Sequence, residues 1–74
     1  VRLEKDYKEK FEDVGDKIKI YRTEKHLSQW DLGMLIDSYG YVICCYEKGR
    51  SMPSGQTMDK ISKALEIEIY RFQA

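Results

Sequence analysis

Seventy-four residues with 13 basic and 13 acidic side chains specify one small domain of zero formal net charge, because so short a chain has difficulty enclosing even one apolar core. An apolar fraction of 42% beside a charged fraction of 35% argues against a membrane-embedded chain; the longest uncharged apolar-rich run, Ser38 to Tyr46, is far below the roughly 20 residues a spanning helix needs. The size also argues against a multi-step enzyme with a deep cavity, and the neutral balance taken whole speaks against nucleic acid, whose binders usually carry a basic excess.

The first 13 residues are nearly all charged, yet Leu3, Tyr7, Phe11 and Val14 recur at intervals of four, four and three, one stripe of a helix. Residues 1–13 are therefore expected to form a charged arm or extra helix, part of it a tag or else packed on the domain or a second subunit. Residues 14–74 are the expected domain proper. Asp13-Val14-Gly15-Asp16 reads as a break, with Asp13 capping the next helix and Asp16 in its first turn. That helix carries Val14, Ile18 and Tyr21 inward, leaves Lys17, Lys19, Arg22 and Lys25 on other faces, and ends near His26.

Leu27-Ser28 starts again. Ser28 with Asp31 three residues on resembles a capping box, and Leu32, Leu35 and Ile36 follow at helical spacing. After Asp37-Ser38, a third short helix spans roughly Tyr39 to Glu47, with Ile43 and Tyr46 on one face and Gly49 placed to stop it. The stretch Gly49 to Gly55, holding the single proline Pro53, is the clearest loop. Ser54 then caps a helix with Met58, Ile61 and Leu65 inward. A last turn, Glu68 to Phe72, closes the bundle with Ile67, Ile69 and Phe72. The runs Tyr39–Tyr46 and Ile67–Tyr70 favour strand on intrinsic propensity, which the packing of short helices is expected to override. The predicted fold class is all-α, a compact bundle of about five short helices, or six with the arm.

Cys44 and Cys45 are adjacent, with Cα atoms about 3.8 Å apart, below the usual disulfide range of roughly 4.4–6.8 Å. Both are expected as free thiols in a reducing compartment, hence a cytoplasmic protein. With one histidine, His26, and no second cysteine pair, no metal site is expected. A Cys45–His26 nucleophile pair has no supporting Asn or Asp and no oxyanion feature, so neither catalysis nor a cofactor is expected. Trp30 and the six tyrosines are not interleaved with Lys or Arg, which favours core or interface use over single-strand stacking. Met34, Met52 and Met58 read as gap fillers.

Two short helices joined by a tight turn, with Leu32, Gly33, Ile36, Ile43 and Tyr46 at those intervals, form a helix-turn-helix pattern. Gly33 fits it physically, since the second helix crosses the first closely and only a small side chain fits there. From Gly15 to Phe72 the chain resembles the Cro- and repressor-type (XRE-like) helix-turn-helix family. The stretches that carry the resemblance are G-D-K-I-K-I-Y-R-T-E-K-H-L-S-Q-W-D-L-G, then I-C-C-Y-E-K-G-R-S-M-P-S, then I-S-K-A-L-E-I.

The resemblance implies a lambda-repressor-like fold, sequence-specific binding of double-stranded DNA by a transcriptional regulator, and a homodimer. It pairs Arg22 with Glu47 as a structural ion pair. By the same resemblance Tyr39, Gly40, Tyr41, Cys44 and Cys45 face the bases from the recognition helix in the major groove, while Gln29, Lys48, Arg50 and Ser54 hold phosphates. Where family members often carry Gly at the turn, then a small apolar residue and a Ser cap, this chain has Asp37, Ser38 and Tyr39. Asp tolerates the left-handed conformation, and Ser38 or Asp37 is expected to supply the cap. From Tyr39 to Cys45 there is no Arg, Lys, Asn or Gln, the residues of bidentate base recognition. The alternative is therefore a helix-turn-helix scaffold whose apolar recognition helix meets a protein partner or a second copy.

Partitioning the charge explains the zero. Residues 1–13 sum to −1, residues 14–26 to +2, residues 27–46 to −2, residues 47–53 to +1 and residues 54–74 to zero. The basic side chains flank the motif rather than sit in it, which suits phosphate clamps at its edges and modest affinity for a monomer.

Overall fold

The computed structural model describes residues 2–68 and 72, with side chains from residue 13 onward. Among the described residues the helices are α1 (Arg2–Glu24), α2 (Gln29–Leu35), α3 (Gly40–Glu47) and α4 (Gly55–Leu65). The class is all-α as expected, with no strand among the described residues, and the strand-prone run from Tyr39 becomes α3. The expected fifth element, Glu68 to Phe72, falls largely on Ile69, Tyr70 and Arg71, outside the described residues. Phe72 itself is buried and meets Tyr21 edge-on, ring centroids 5.3 Å apart. Among the described residues no helix is long and apolar enough to cross a membrane.

The expected break at Asp13–Asp16 is absent: α1 runs through it without interruption, and Asp13 caps nothing. The glycine there answers to packing. A Cβ on Gly15 would lie 2.3 Å from the Tyr46 carbonyl oxygen and 2.8 Å from that of Glu47, so its bare backbone lets α1 touch the end of α3. The side chains of Leu3, Tyr7 and Phe11 lie outside the described set, while Val14 is part of the core.

Past Glu24 the chain reverses through His26 at φ 58°, and the Leu27 N–H donates to the Arg22 carbonyl at 3.1 Å. Ser28 and Asp31 complete the capping box that starts α2: the Asp31 N–H donates to Ser28 Oγ at 2.9 Å and the Ser28 N–H to Asp31 Oδ2 at 3.0 Å. Leu32 and Gly33 face inward, and Ile36 joins the core from the following turn. Leu35, expected among them, is the last residue of α2 and is 58% exposed, while the next residue, Ile36, is the one that turns inward. Asp37 takes the left-handed conformation at φ 56°, and the Ser38 N–H donates to the Gly33 carbonyl at 2.7 Å, a Schellman-type closure. Gly33 admits this turn because an added Cβ would meet the Tyr39 carbonyl carbon at 2.6 Å.

The N-cap of α3 is Tyr39, with no side-chain capping bond, so neither Ser38 nor Asp37 supplies the expected cap. Gly49, at φ 73°, follows the end of α3. Ser54 caps α4, its hydroxyl accepting the Thr57 N–H at 3.2 Å. Inward residues of all four helices and Phe72 form one core around Ile18, Leu32, Ile43, Ile61 and Leu65. Met58 fills a core position, but Met34 and Met52 are exposed, so two of the three methionines are not gap fillers. At the rim Lys25 Nζ donates to Glu66 Oε2 at 2.6 Å between the C-terminal ends of α1 and α4; such exposed pairs contribute little.

Gly15→Ala is expected to destabilise the fold by about 1–3 kcal/mol through backbone overpacking, read as a fall in the chemical-denaturation midpoint. Gly55→Ala, whose Cβ meets nothing within 4 Å, is the helix-compatible control and should not lower it.

Candidate nucleic-acid interface

A polar cluster fixes the pose of α3. Arg22 Nε donates to Glu47 Oε2 at 2.6 Å, Nη2 to Glu47 Oε1 at 3.0 Å and Nη1 to the Leu27 carbonyl at 2.7 Å. The guanidinium fork thus spends three donors on the end of α3 and on the connection into α2, with side-chain exposures of 10% for Arg22 and 4% for Glu47. Arg22 is buried rather than displayed on an outer face of α1. Gln29, first residue of α2, adds its Nε2 to Glu47 Oε1 at 3.1 Å. Gln29 is half-buried, and its amide serves the cluster here.

With Ile43 and Glu47 turned inward, the opposite face of α3 carries Tyr41, Cys44 and Cys45. Tyr39 and Tyr41 are 63% and 68% exposed, their rings near-parallel at 13° with centroids 5.7 Å apart. Cys44 and Cys45 are half-buried free thiols. Gly40 is half-buried, and a Cβ there would lie 3.1 Å from Trp30 Cα. Lys48 and Arg50 are exposed just beyond the end of α3. Ser54 is exposed too, but its hydroxyl, besides capping α4, donates to Thr57 Oγ1 at 3.1 Å. The expected base-facing residues are therefore contiguous at the start and along one side of α3, and the expected phosphate residues split into two free cations and two side chains with structural partners.

Trp30 was expected in the core or at an interface and Met34 as a gap filler, and both are on the surface. They lie one turn apart on α2, 64% and 62% exposed, and line an apolar hollow together with Ser38, Tyr39 and Gly40. The available signal was phase: Leu32 and Ile36 define the inward face of this segment, which turns Trp30 and Met34 outward.

The backbone matches the P22 c2 repressor, solved in complex with a synthetic operator in the presence of Tl+, with a TM-score of 0.77 over 81% of this chain and 91% of that one. The fold is that of a Cro/repressor-type helix-turn-helix domain. At 23% identity the likeness to that repressor is one of fold. In sequence, the domain is 41% identical over 56 residues to multiprotein-bridging factor 1 of Candida glabrata, covering 76% of this chain and 37% of that protein. It is 37% identical over 57 residues to human endothelial differentiation-related factor 1, covering 77% and 38%. The chain thus spans well under half the length of the curated relatives it matches. No protein-family model matches it.

At the start of α2 the Asp31 carboxyl of the helix-turn-helix is held below its ordinary value, first by the Ser28 backbone N–H and then by the Ser28 hydroxyl. A lowered folded-state pKa means that the unfolded chain binds the proton more tightly. The carboxylate's stabilising contribution is therefore complete above the ordinary aspartate value of about 3.9 and is lost as pH falls through the lower folded value. An NMR titration should place Asp31 below free aspartate.

Removing one partner of the central pair leaves a charge stranded. Arg22→Met is expected to cost on the order of 3–5 kcal/mol, and Arg22→Met with Glu47→Leu much less than the single change. Denaturant unfolding of both variants measures this.

Proposed function

We propose that the domain binds double-stranded DNA sequence-specifically as part of a transcriptional regulator, with α3 in the major groove. Tyr39, Gly40, Tyr41, Cys44 and Cys45 face the bases. Lys48 and Arg50 clamp phosphates beyond the end of α3, while Gln29 contributes through the second N–H of its amide at the start of α2 and Ser54 through the backbone at the start of α4. The observation that carries this proposal is the outward side of α3, where exposed Tyr39 and Tyr41 stand with half-buried Cys44 and Cys45 and are followed by the exposed cations Lys48 and Arg50. The fold shared with a repressor solved on an operator supports it.

Two phosphate clamps per monomer give modest affinity, which a homodimer on two half-sites would raise. A second reading is favoured by one specific observation: the exposed apolar side chains Trp30, Met34, Tyr39 and Tyr41 adjoin one another, as at the centre of a protein interface. That several relatives are named multiprotein-bridging factors fits the same alternative.

Salt dependence separates the two. Duplex affinity should fall with salt at a log–log slope of about −0.9 per phosphate contact, and Lys48→Glu with Arg50→Glu should flatten that slope by about two. Fluorescence-anisotropy titration of a random-sequence duplex pool at several salt concentrations measures both. Absence of binding at low salt, or a double variant that binds as well as the parent, would refute DNA binding by this face.

A further inference from the structure

We infer that two copies of the domain pair through their α3 helices, packed antiparallel about a two-fold axis near Cys44 and Cys45. The pairing covers the face proposed above for DNA, so it is a closed form of the domain and differs from a dimer seated on two half-sites. It does not depend on the DNA-binding proposal and is tested without DNA.

The surface along α3 is divided by charge. At its start the exposed side chains Trp30, Met34, Tyr39 and Tyr41 stand with two exposed carboxylates, Asp31 and Asp37. From Leu27 to Tyr46 those two are the only charged side chains. Beyond the end of α3 come Lys48 and Arg50, both exposed, and then Met52, 41% exposed. A polyanion is attracted to the second end and repelled by the first, and a basic peptide the reverse. A partner that suits both ends carries the same order of charge running the other way, which is what a second copy turned through a half-rotation presents. The interface is then isologous, with the same residues of each copy exchanged across the axis. Zero formal net charge, from 13 basic and 13 acidic side chains, leaves no overall repulsion between copies.

Helical spacing sets the register. With Ile43 and Glu47 inward, Tyr41, Cys44, Cys45 and Lys48 succeed one another on the outward side at steps of three and four. An antiparallel pair centred between Cys44 and Cys45 sets Tyr41 against Lys48 of the second copy, an ammonium on a phenol face. The same rotation brings Asp37, before the start of one α3, toward Arg50 past the end of the other. It also carries Met52 toward the apolar hollow lined by Trp30, Met34, Ser38, Tyr39 and Gly40. The half-buried thiols are the small side chains of this side, so the helices approach each other at the axis, between the flanking tyrosines. A parallel arrangement would instead face Asp37 with Asp37 and Lys48 with Lys48. Each contact of the antiparallel pair occurs twice by symmetry, but α3 is only eight residues long, which places the pairing among weak, reversible interfaces.

Sedimentation equilibrium of the whole chain without DNA reads the association, and emission of Trp30, the single tryptophan, follows its burial as concentration rises. Dimers and no larger species should form, since a two-fold contact closes on itself. Lys48→Glu with Arg50→Glu should weaken dimerisation at least about tenfold by facing like charges across the axis, and Asp37→Lys should do the same. An equimolar mixture of these two variants should regain pairing, because each supplies the charge the other lacks. Asp37 sits in the left-handed region, so Asp37→Asn, which that backbone accepts, is the milder companion and should weaken pairing about threefold. A short bis-maleimide, spanning the about 8–10 Å between packed helices, should join Cys45 of two copies in Cys44→Ser, and lose that product once Lys48 and Arg50 are reversed. A chain that stays monomeric up to about 1 mM, dimers indifferent to the charge reversals, or variants that fail to pair when mixed would overturn the inference. The DNA-binding proposal stands or falls separately, on the duplex titration.

Discussion

The three donors of Arg22 are the constraint on which the helix-turn-helix depends. One guanidinium ties the C-terminal part of α1 to the last residue of α3 and to the backbone just before α2. Gln29 then joins the start of α2 to the same Glu47 carboxylate. Without this cluster α3 has little of its own to hold it. It is eight residues long, begins on glycine and has no side-chain cap, and isolated helices of that length are not stable in water. Gly15 completes the arrangement from the other side, since only a bare backbone can approach the Tyr46 and Glu47 carbonyls so closely.

A buried ion pair is weak evidence for stability as such, because desolvation offsets much of the Coulomb gain. Its use here is directional. Apolar packing around Ile43 would hold α3 in the core at several rotations, whereas a bidentate Arg–carboxylate fork fixes one. That rotation turns Tyr41, Cys44 and Cys45 outward together. The orientation of the outward face of α3 is consequently a product of the α1 sequence as much as of α3.

Much of this was legible in the sequence where the cause is local. Ser28 and Asp31 announce their capping box because donor and acceptor are three residues apart, and Ser54 announces its cap for the same reason. The Arg22–Glu47 pair spans 25 positions and was accessible only through family resemblance. Gly15 was misread as a break because its reason is two carbonyls on a helix far along the chain. Leu35 fits the apolar spacing yet is exposed, since steps of three and four from Leu32 reach both Leu35 and Ile36 and the spacing does not reveal that Ile36 alone is buried. The missing cap at Tyr39 has a similar cause: with Asp37 left-handed and Ser38 bound through its backbone to Gly33, the register of the turn, not the chemistry of Ser38, decides which residue precedes α3.

The division of charge along the chain now has a structural meaning. The cations suited to phosphate sit after α3, at Lys48 and Arg50, while the outward side chains of α3 are aromatic or thiol. In the proposed DNA-binding mode, attraction to phosphates and contact with bases would fall to different residues, whereas an arginine in the groove would serve both at once. Phosphate attraction is long-ranged and screened by salt; apolar contact is short-ranged and nearly indifferent to it. In the DNA-binding mode proposed above, a duplex would be approached through the cations and met by α3 only at close range, so attraction to it would depend on ionic strength more than contact does.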